Sequence, residues 1–247
     1  MRINKSRYSR TLFLLFVITF LFEKVSNGQT KGIYPPFTKW YQDPLGLKPL
    51  QLSTAFGFLW GSAAVAASLI FTKKDPAVKN KISAYYETGF GTSYKSPYTS
   101  IFQNDFGVMY KIRKEMDIGL GWNTFHFKDK INNTLCLGIR PFARWYAYNS
   151  KKASLFFEYG AGLSYSLNRF PLTGTGWGAD TARTGTKFNL TSKYSVGVVF
   201  KLNDRFSLQS GIRHFHLSNG NLAGIQRNPS HDSNGGFVGI IYTASSK

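Results

Sequence analysis

The sequence predicts an all-β protein, an eight-stranded antiparallel transmembrane β-barrel preceded by a signal peptide and an apolar helical segment. Three observations carry that expectation. From Asn80 onward the apolar residues recur with period two, the period of a strand. The two faces so defined are unlike, one large and aromatic, the other small, glycine-rich and partly charged. The chain also begins as a secreted protein begins. With 22 Phe, 14 Tyr and 5 Trp its aromatic content reaches 17%, yet mean hydropathy is −0.21 because polar residues alternate with the apolar ones.

Residues 1–28 read as the signal peptide. Arg2, Lys5, Arg7 and Arg10 precede the uncharged run Thr11 to Phe22, and a polar stretch ending Ser26-Asn27-Gly28 offers a cleavage site. That run is short for a membrane span, although an uncleaved anchor remains the alternative. Residues 29–79 form an N-terminal extension. It is irregular through Pro35-Pro36 and Pro44, then apolar and uncharged from Ser53 to Phe71, and it closes on Lys73-Lys74-Asp75-Pro76. The length of 53–71 suits a helix in or along a membrane. Its glycines, serines and alanines equally suit close packing against the rest of the protein.

Residues 80–247 form the barrel, and eight segments alternate: 81–91, 100–112, 116–127, 134–148, 154–167, 186–202, 205–217 and 235–243. In the third, Met116, Ile118, Leu120 and Trp122 share a face opposite Asp117, Gly119, Gly121 and Asn123. In the fifth, Phe157, Tyr159, Ala161, Leu163 and Tyr165 oppose Glu158, Gly160, Gly162 and Ser164. The sixth sets Tyr194, Val196, Val198 and Phe200 against Lys193, Ser195 and Gly197. A soluble sandwich also alternates, so the sense of the contrast matters. Large residues outward and small or charged ones inward is the pattern of a small membrane barrel. Short turns at 113–115, 149–153 and 203–204 alternate with longer loops at 128–133 and 168–185, as in such barrels. A signal peptide before such a barrel predicts the outer membrane of a Gram-negative bacterium.

The formal net charge of +19 calls for an anionic partner, either nucleic acid, an acidic lipid surface or lipopolysaccharide phosphates. Nucleic acid is disfavoured, because the Lys and Arg residues are scattered and no common binding motif occurs. The single cysteine, Cys136, excludes an intramolecular disulfide framework and reads as a small apolar residue in a strand. No cofactor and no metal are expected: His214, His216 and His231 lack an accompanying set of carboxylates.

Candidate chemistry gathers between His214 and Asp232. In the seventh segment Phe206, Leu208, Ile212, His214, His216 and Ser218 all stand at even positions, which parity turns toward lipid. A His and a Ser two apart on one face come within reach if the strand end bends, and Asn219-Gly220 permits a bend. Imidazole then takes the hydroxyl proton during attack on an ester. Asp232, the only acid between Asp204 and the C-terminus, is the candidate to orient the ring. The Asn228 side chain, or backbone amides near Asn219 to Asn221, are candidate donors to an oxyanion. The alternative is that the histidines sit at a barrel rim and Ser218-Asn219 merely starts a turn.

The run His216-Leu217-Ser218-Asn219, followed by Asn228-Pro229 and the acid Asp232, resembles the signature of the PagL-type lipid A 3-O-deacylases, the acyloxyacyl hydrolase-like outer-membrane enzymes. The resemblance covers the barrel, with its specific motif within 213–232. It implies an eight-stranded barrel with a Ser-His-acid triad on its lipid-exposed side: Ser218 as nucleophile, His216 as general base, Asp232 as the orienting acid, and Asn228 at the oxyanion hole, where Asn219 is the candidate second donor from its place in the turn. The expected function is an esterase that removes an ester-linked acyl chain from lipid A, with the membrane and lipopolysaccharide as partners. A non-catalytic structural or adhesive outer-membrane barrel is the alternative. A phospholipase would share the chemistry but not the headgroup.

Overall fold

The computed structural model describes residues 81–93, 99–128, 133–170, 184–220, 222–224, 227–229 and 231–244, together with 63, 66 and 67. The expected signal peptide at 1–28 lies outside the described residues. So does the apolar segment 53–71, apart from Ala63, Ala66 and Ala67, which are α-helical.

Eight strands follow one another: β1 (Ile82–Ser93), β2 (Ser100–Arg113), β3 (Met116–Lys128), β4 (Asn133–Asn149), β5 (Ala153–Ser166), β6 (Phe188–Lys201), β7 (Phe206–Ser218) and β8 (His231–Thr243). Each pairs antiparallel with its sequence neighbour, and β1 pairs with β8, from Ser83↔Thr243 to Ser93↔Ser233, so the sheet closes on itself and leaves no unpaired edge. The strands run from 12 to 17 residues, longer than the ~9–11 that a tilted strand needs to cross a bilayer.

The eight expected segments are the eight strands, with one substantive correction. The last strand begins at His231 and not at Gly235. His231-Asp232-Ser233-Asn234 is polar and reads as loop, but each residue pairs across to β7, ending with Leu217↔His231. The ladder, satisfying backbone groups that lipid cannot, outweighs the local preference for a turn.

Parity sorts most side chains as the alternation predicts, but Met116, Tyr159 and Tyr194, expected on the lipid-facing side, are buried. Phe106 stacks on Trp122 outside at 5.9 Å between centroids, and Leu163, Leu208, Val238 and Ile240 are likewise exposed on the outer wall. The interior departs from expectation, because it is not only small and charged. An eight-stranded barrel encloses a space that side chains must fill, and three layers fill it. Toward the short turns lie Tyr85, Met109, Phe142, Phe156 and Ile241. Toward the longer loops lie Ile101, Phe125, Phe127, Cys136 and Phe215. Between them sits a buried ionic network. Lys193 Nζ is 2.6 Å from Glu87 Oε1, 2.9 Å from Asp105 Oδ2 and 2.9 Å from Glu158 Oε1. Arg140 holds Asp105 at 2.6 Å, Arg144 holds Glu158 at 2.6 Å and Arg213 holds Glu87 at 3.1 Å. Charges so far from water persist only when paired in this way. Gly89 makes room for one of them, since a Cβ there would meet Arg213 Nη2 at 2.0 Å.

Candidate active site on the outer wall

The end of β7 and the start of β8, at the longer-loop end of the barrel, carry the candidate residues. In the register of this pair His216 faces Asp232, and His214 faces Asn234. Side chains directly opposite on an antiparallel pair lie about 4.5–5.5 Å apart at Cβ, so a short carboxylate reaches the ring. His216 Nδ1 and Asp232 Oδ1 are 2.7 Å apart. An ionised carboxylate only accepts, so the shared proton sits on Nδ1 and Nε2 keeps its lone pair, the tautomer a general base requires.

A second imidazole approaches the same carboxylate: His214 Nε2 lies 3.5 Å from Asp232 Oδ1, and His214 Nδ1 is 2.8 Å from Asn234 Oδ1. Tyr194, opposite His214 on β6, extends this outward patch. Asn234 does not stand out in the sequence, and nothing there ties Tyr194 to the site. The signal that finds Asn234 is parity carried back along β8 from Val238 and Ile240, and it becomes usable once the strand is known to start at His231.

Ser218 continues the same face at the last residue of β7. Its hydroxyl donates to Asn228 Oδ1 at 2.9 Å and accepts from the backbone N–H of Gly220 at 3.0 Å. The Asn219 backbone N–H also donates to Asn228 Oδ1, at 3.2 Å, which fixes the orientation of that amide. Asn228 therefore turns its carbonyl oxygen, not its NH2, toward Ser218. The Asn219 side chain is occupied elsewhere, donating to the Arg227 carbonyl at 2.7 Å and to Thr186 Oγ1 at 3.2 Å. Gly220 adopts φ +64°, a left-handed conformation that glycine takes without penalty. The chain bends there, as its Asn-Gly sequence suggests.

The structure thus gathers His216, Ser218, Asn219, Asn228 and Asp232 at one strand end. It pairs His216 with Asp232 and Ser218 with Asn228. The Ser218 hydroxyl does not donate to His216. All of these residues are buried, Asp232 completely and His216, Asn228 and Ser218 to within 9% of their surface, although parity turns His216, Ser218 and Asp232 outward. His231, one residue before Asp232, points into the barrel and meets the Phe127 ring edge-on at 4.8 Å. It lies across the sheet from His214 and His216, so the three histidines do not converge. Among the described residues no group of three or more His, Cys, Asp or Glu side chains is arranged to hold a metal ion.

Residues 121–240 match the family model described as lipid A 3-O-deacylase (PagL). No curated protein matches the chain. Solved structures similar to it include the outer-membrane enzyme PagL, 14% identical, with 66% of this chain and 99% of that one covered and a TM-score of 0.44. Neisserial surface protein A is 11% identical, with 66% and 96% covered and a TM-score of 0.45. The Yersinia pestis attachment invasion locus protein Ail, solved with a heparin analogue, is 10% identical, with 68% and 100% covered and a TM-score of 0.40. The closed barrel, its apolar outer wall and the family match make this a protein of the Gram-negative outer membrane. The match over 121–240 bears out the resemblance carried by the His216-to-Asp232 motif: across the greater part of its barrel this chain is similar to the lipid A 3-O-deacylase (PagL) family.

Proposed function

We propose that the protein is an esterase that hydrolyses an ester-linked acyl chain of lipid A, using Ser218 as nucleophile, His216 as general base and Asp232 as the acid that orients it. The observation that carries this reading is the 2.7 Å hydrogen bond from His216 Nδ1 to Asp232, on the face that strand parity turns outward and at the end of the strand that closes on Ser218. An acyl chain in the bilayer lies alongside that wall, so an ester at the end of the chain meets the strand end without leaving the membrane.

In the proposed mechanism the Ser218 hydroxyl turns from Asn228 Oδ1 to His216 Nε2. Its proton passes to Nε2 as Oγ attacks the ester carbonyl carbon, and Asp232 stabilises the imidazolium. The oxyanion takes up the place that Asn228 Oδ1 now holds, within reach of the Asn219 N–H. Asn228 rotates to offer its NH2 to the same oxygen. His216 then returns the proton to the departing sugar oxygen, and water releases the fatty acid from the acyl-enzyme by the same steps.

The engagement of Ser218 with Asn228 favours the rival reading of a barrel with no catalysis, and one experiment separates the two. Lipid A is analysed by mass spectrometry from cells expressing the wild type, Ser218→Ala or His216→Ala. The wild type is expected to remove one acyl chain, and each variant to lose activity on the order of 10⁶-fold. Lipid A left intact by the wild type, or full activity in Ser218→Ala, overturns the proposal. A matched assay on glycerophospholipid tests the headgroup.

A further inference from the structure

The end of the barrel opposite the His216 wall holds a second concave feature. A cavity of about 670 Å³ opens among the short turns, within the size range that small ligands occupy. Lys81, Lys111, Lys114, Lys151 and Lys201 line it, against two carboxylates, Asp117 and Asp204. Lys111 and Lys201 have the strand parity of the inward Asp105 and Lys193, and Lys81 has that of Glu87. The ladder reaches Lys81, whose carbonyl accepts from Lys111 N at 3.1 Å. These three lysines are therefore aimed into the barrel, and contact with surrounding lipid headgroups does not account for them. Among the described residues the salt bridge that the five make is Lys111 to Asp117, at 3.1 Å. The Lys201 ammonium donates to Asn149 Oδ1 at 3.0 Å and to the Ser150 carbonyl at 2.5 Å, which hold it at the β4–β5 turn on the cavity rim.

Behind this cationic rim the lining turns apolar. Met109, Val199 and Ile241 belong to the hydrophobic layer at this end and also face the cavity. Beyond them the Lys193 network fills the barrel, so the cavity ends there.

We propose that this cavity binds an amphiphilic anion, a short apolar chain carrying a phosphate or carboxylate, with the chain on Met109, Val199 and Ile241 and the anionic head among the lysines. An apolar floor alone gives a bare ion nothing, and a water-filled rim screens an isolated charge. A ligand bearing both parts uses both surfaces. The proposal is independent of the esterase reading, since the two sites lie at opposite ends of the barrel.

The test is calorimetric titration of the full chain in zwitterionic micelles, with empty micelles as blank and hexyl phosphate, hexanoate, inorganic phosphate and hexanol as probes. Hexyl phosphate, hexanoate or both are expected to bind, more weakly as salt rises, and the two arms distinguish the head group. Dihexanoyl phosphatidate against hexyl phosphate distinguishes a phospholipid from a single-chain ligand. Inorganic phosphate and hexanol are expected to bind at least about tenfold more weakly. Lys111→Gln with Lys201→Gln should weaken amphiphile binding about fivefold for each charge removed. Failure of both amphiphiles to bind overturns the proposal. So does hexanol or inorganic phosphate binding as tightly as they do, or an unchanged affinity in the lysine variant. Heat-modifiable gel mobility checks folding, and Lys114→Gln with Lys151→Gln, both in turns, carries the same expectation should the strand variant not fold.

Discussion

Asp232 shows how much a single residue's role depends on its cross-strand neighbour. In Asp232→Asn the amide donates to His216 Nδ1 from its NH2, which shifts the ring proton to Nε2 and leaves the Ser218 hydroxyl no acceptor. Hydrolysis of lipid A is expected to fall about 10⁴-fold, while the urea unfolding midpoint in vesicles stays near that of the wild type. Undiminished activity would remove Asp232 from the proposed mechanism. The positions of His216 and Ser218 were legible in the sequence, because both extend the apolar parity of Phe206, Leu208 and Ile212. Asp232 was legible only as the sole nearby acid. Its partner became visible when His231-Asp232-Ser233-Asn234 proved to be strand. The orientation of Asn228 was not legible at all, since which end of an amide faces a hydroxyl depends on a third group, here the Asn219 N–H.

Between elements, β1 and β7 meet through a glycine and an arginine. Gly89 has Arg213 Nη2 and the Gly236 carbonyl where its Cβ would lie, at 2.0 and 2.5 Å. Gly89→Val therefore pushes against both side chain and backbone and pulls Arg213 from Glu87. A loss of about 1–3 kcal/mol is expected, read as a lower urea midpoint for folding into vesicles. An unchanged midpoint would mean that the guanidinium relocates freely. Alternation sets Arg213 opposite the even, outward positions of its segment, but its contact with Gly89 spans 124 positions of the chain and follows from the β1–β8 closure and the β7–β8 pairing.

For the whole molecule, the outer wall and the filled interior respond oppositely to charge. Val238 stands outward midway along β8, and Val238→Arg should cost about 2–4 kcal/mol where lipid surrounds it. In detergent micelles, which admit water more readily, the cost should be smaller, and equal stability in bilayers would contradict the lipid-facing assignment. Inside, removing a charge is the damaging change. Lys193→Met leaves Glu87, Asp105 and Glu158 without the ammonium they share, and losing one member of a buried ionic group costs about 3–5 kcal/mol. Impaired heat-modifiable folding of this variant is expected, with partial recovery in Lys193→Arg. Folding as efficient as the wild type would show that Arg140, Arg144 and Arg213 neutralise the acids by themselves.

The sequence by itself determined the strand count, the antiparallel order and the face that each side chain takes, because a period of two is local and every residue declares its side relative to its neighbours. It also marked His216 and Ser218, which lie two apart on one strand. Only the tertiary structure decided which residues meet: Asp232 with His216, Arg213 beside Gly89, one lysine among three carboxylates, and aromatic layers closing both ends of the interior. Those contacts depend on inter-strand register and on closure of the barrel, where a one-residue slip would turn every partner to the other face.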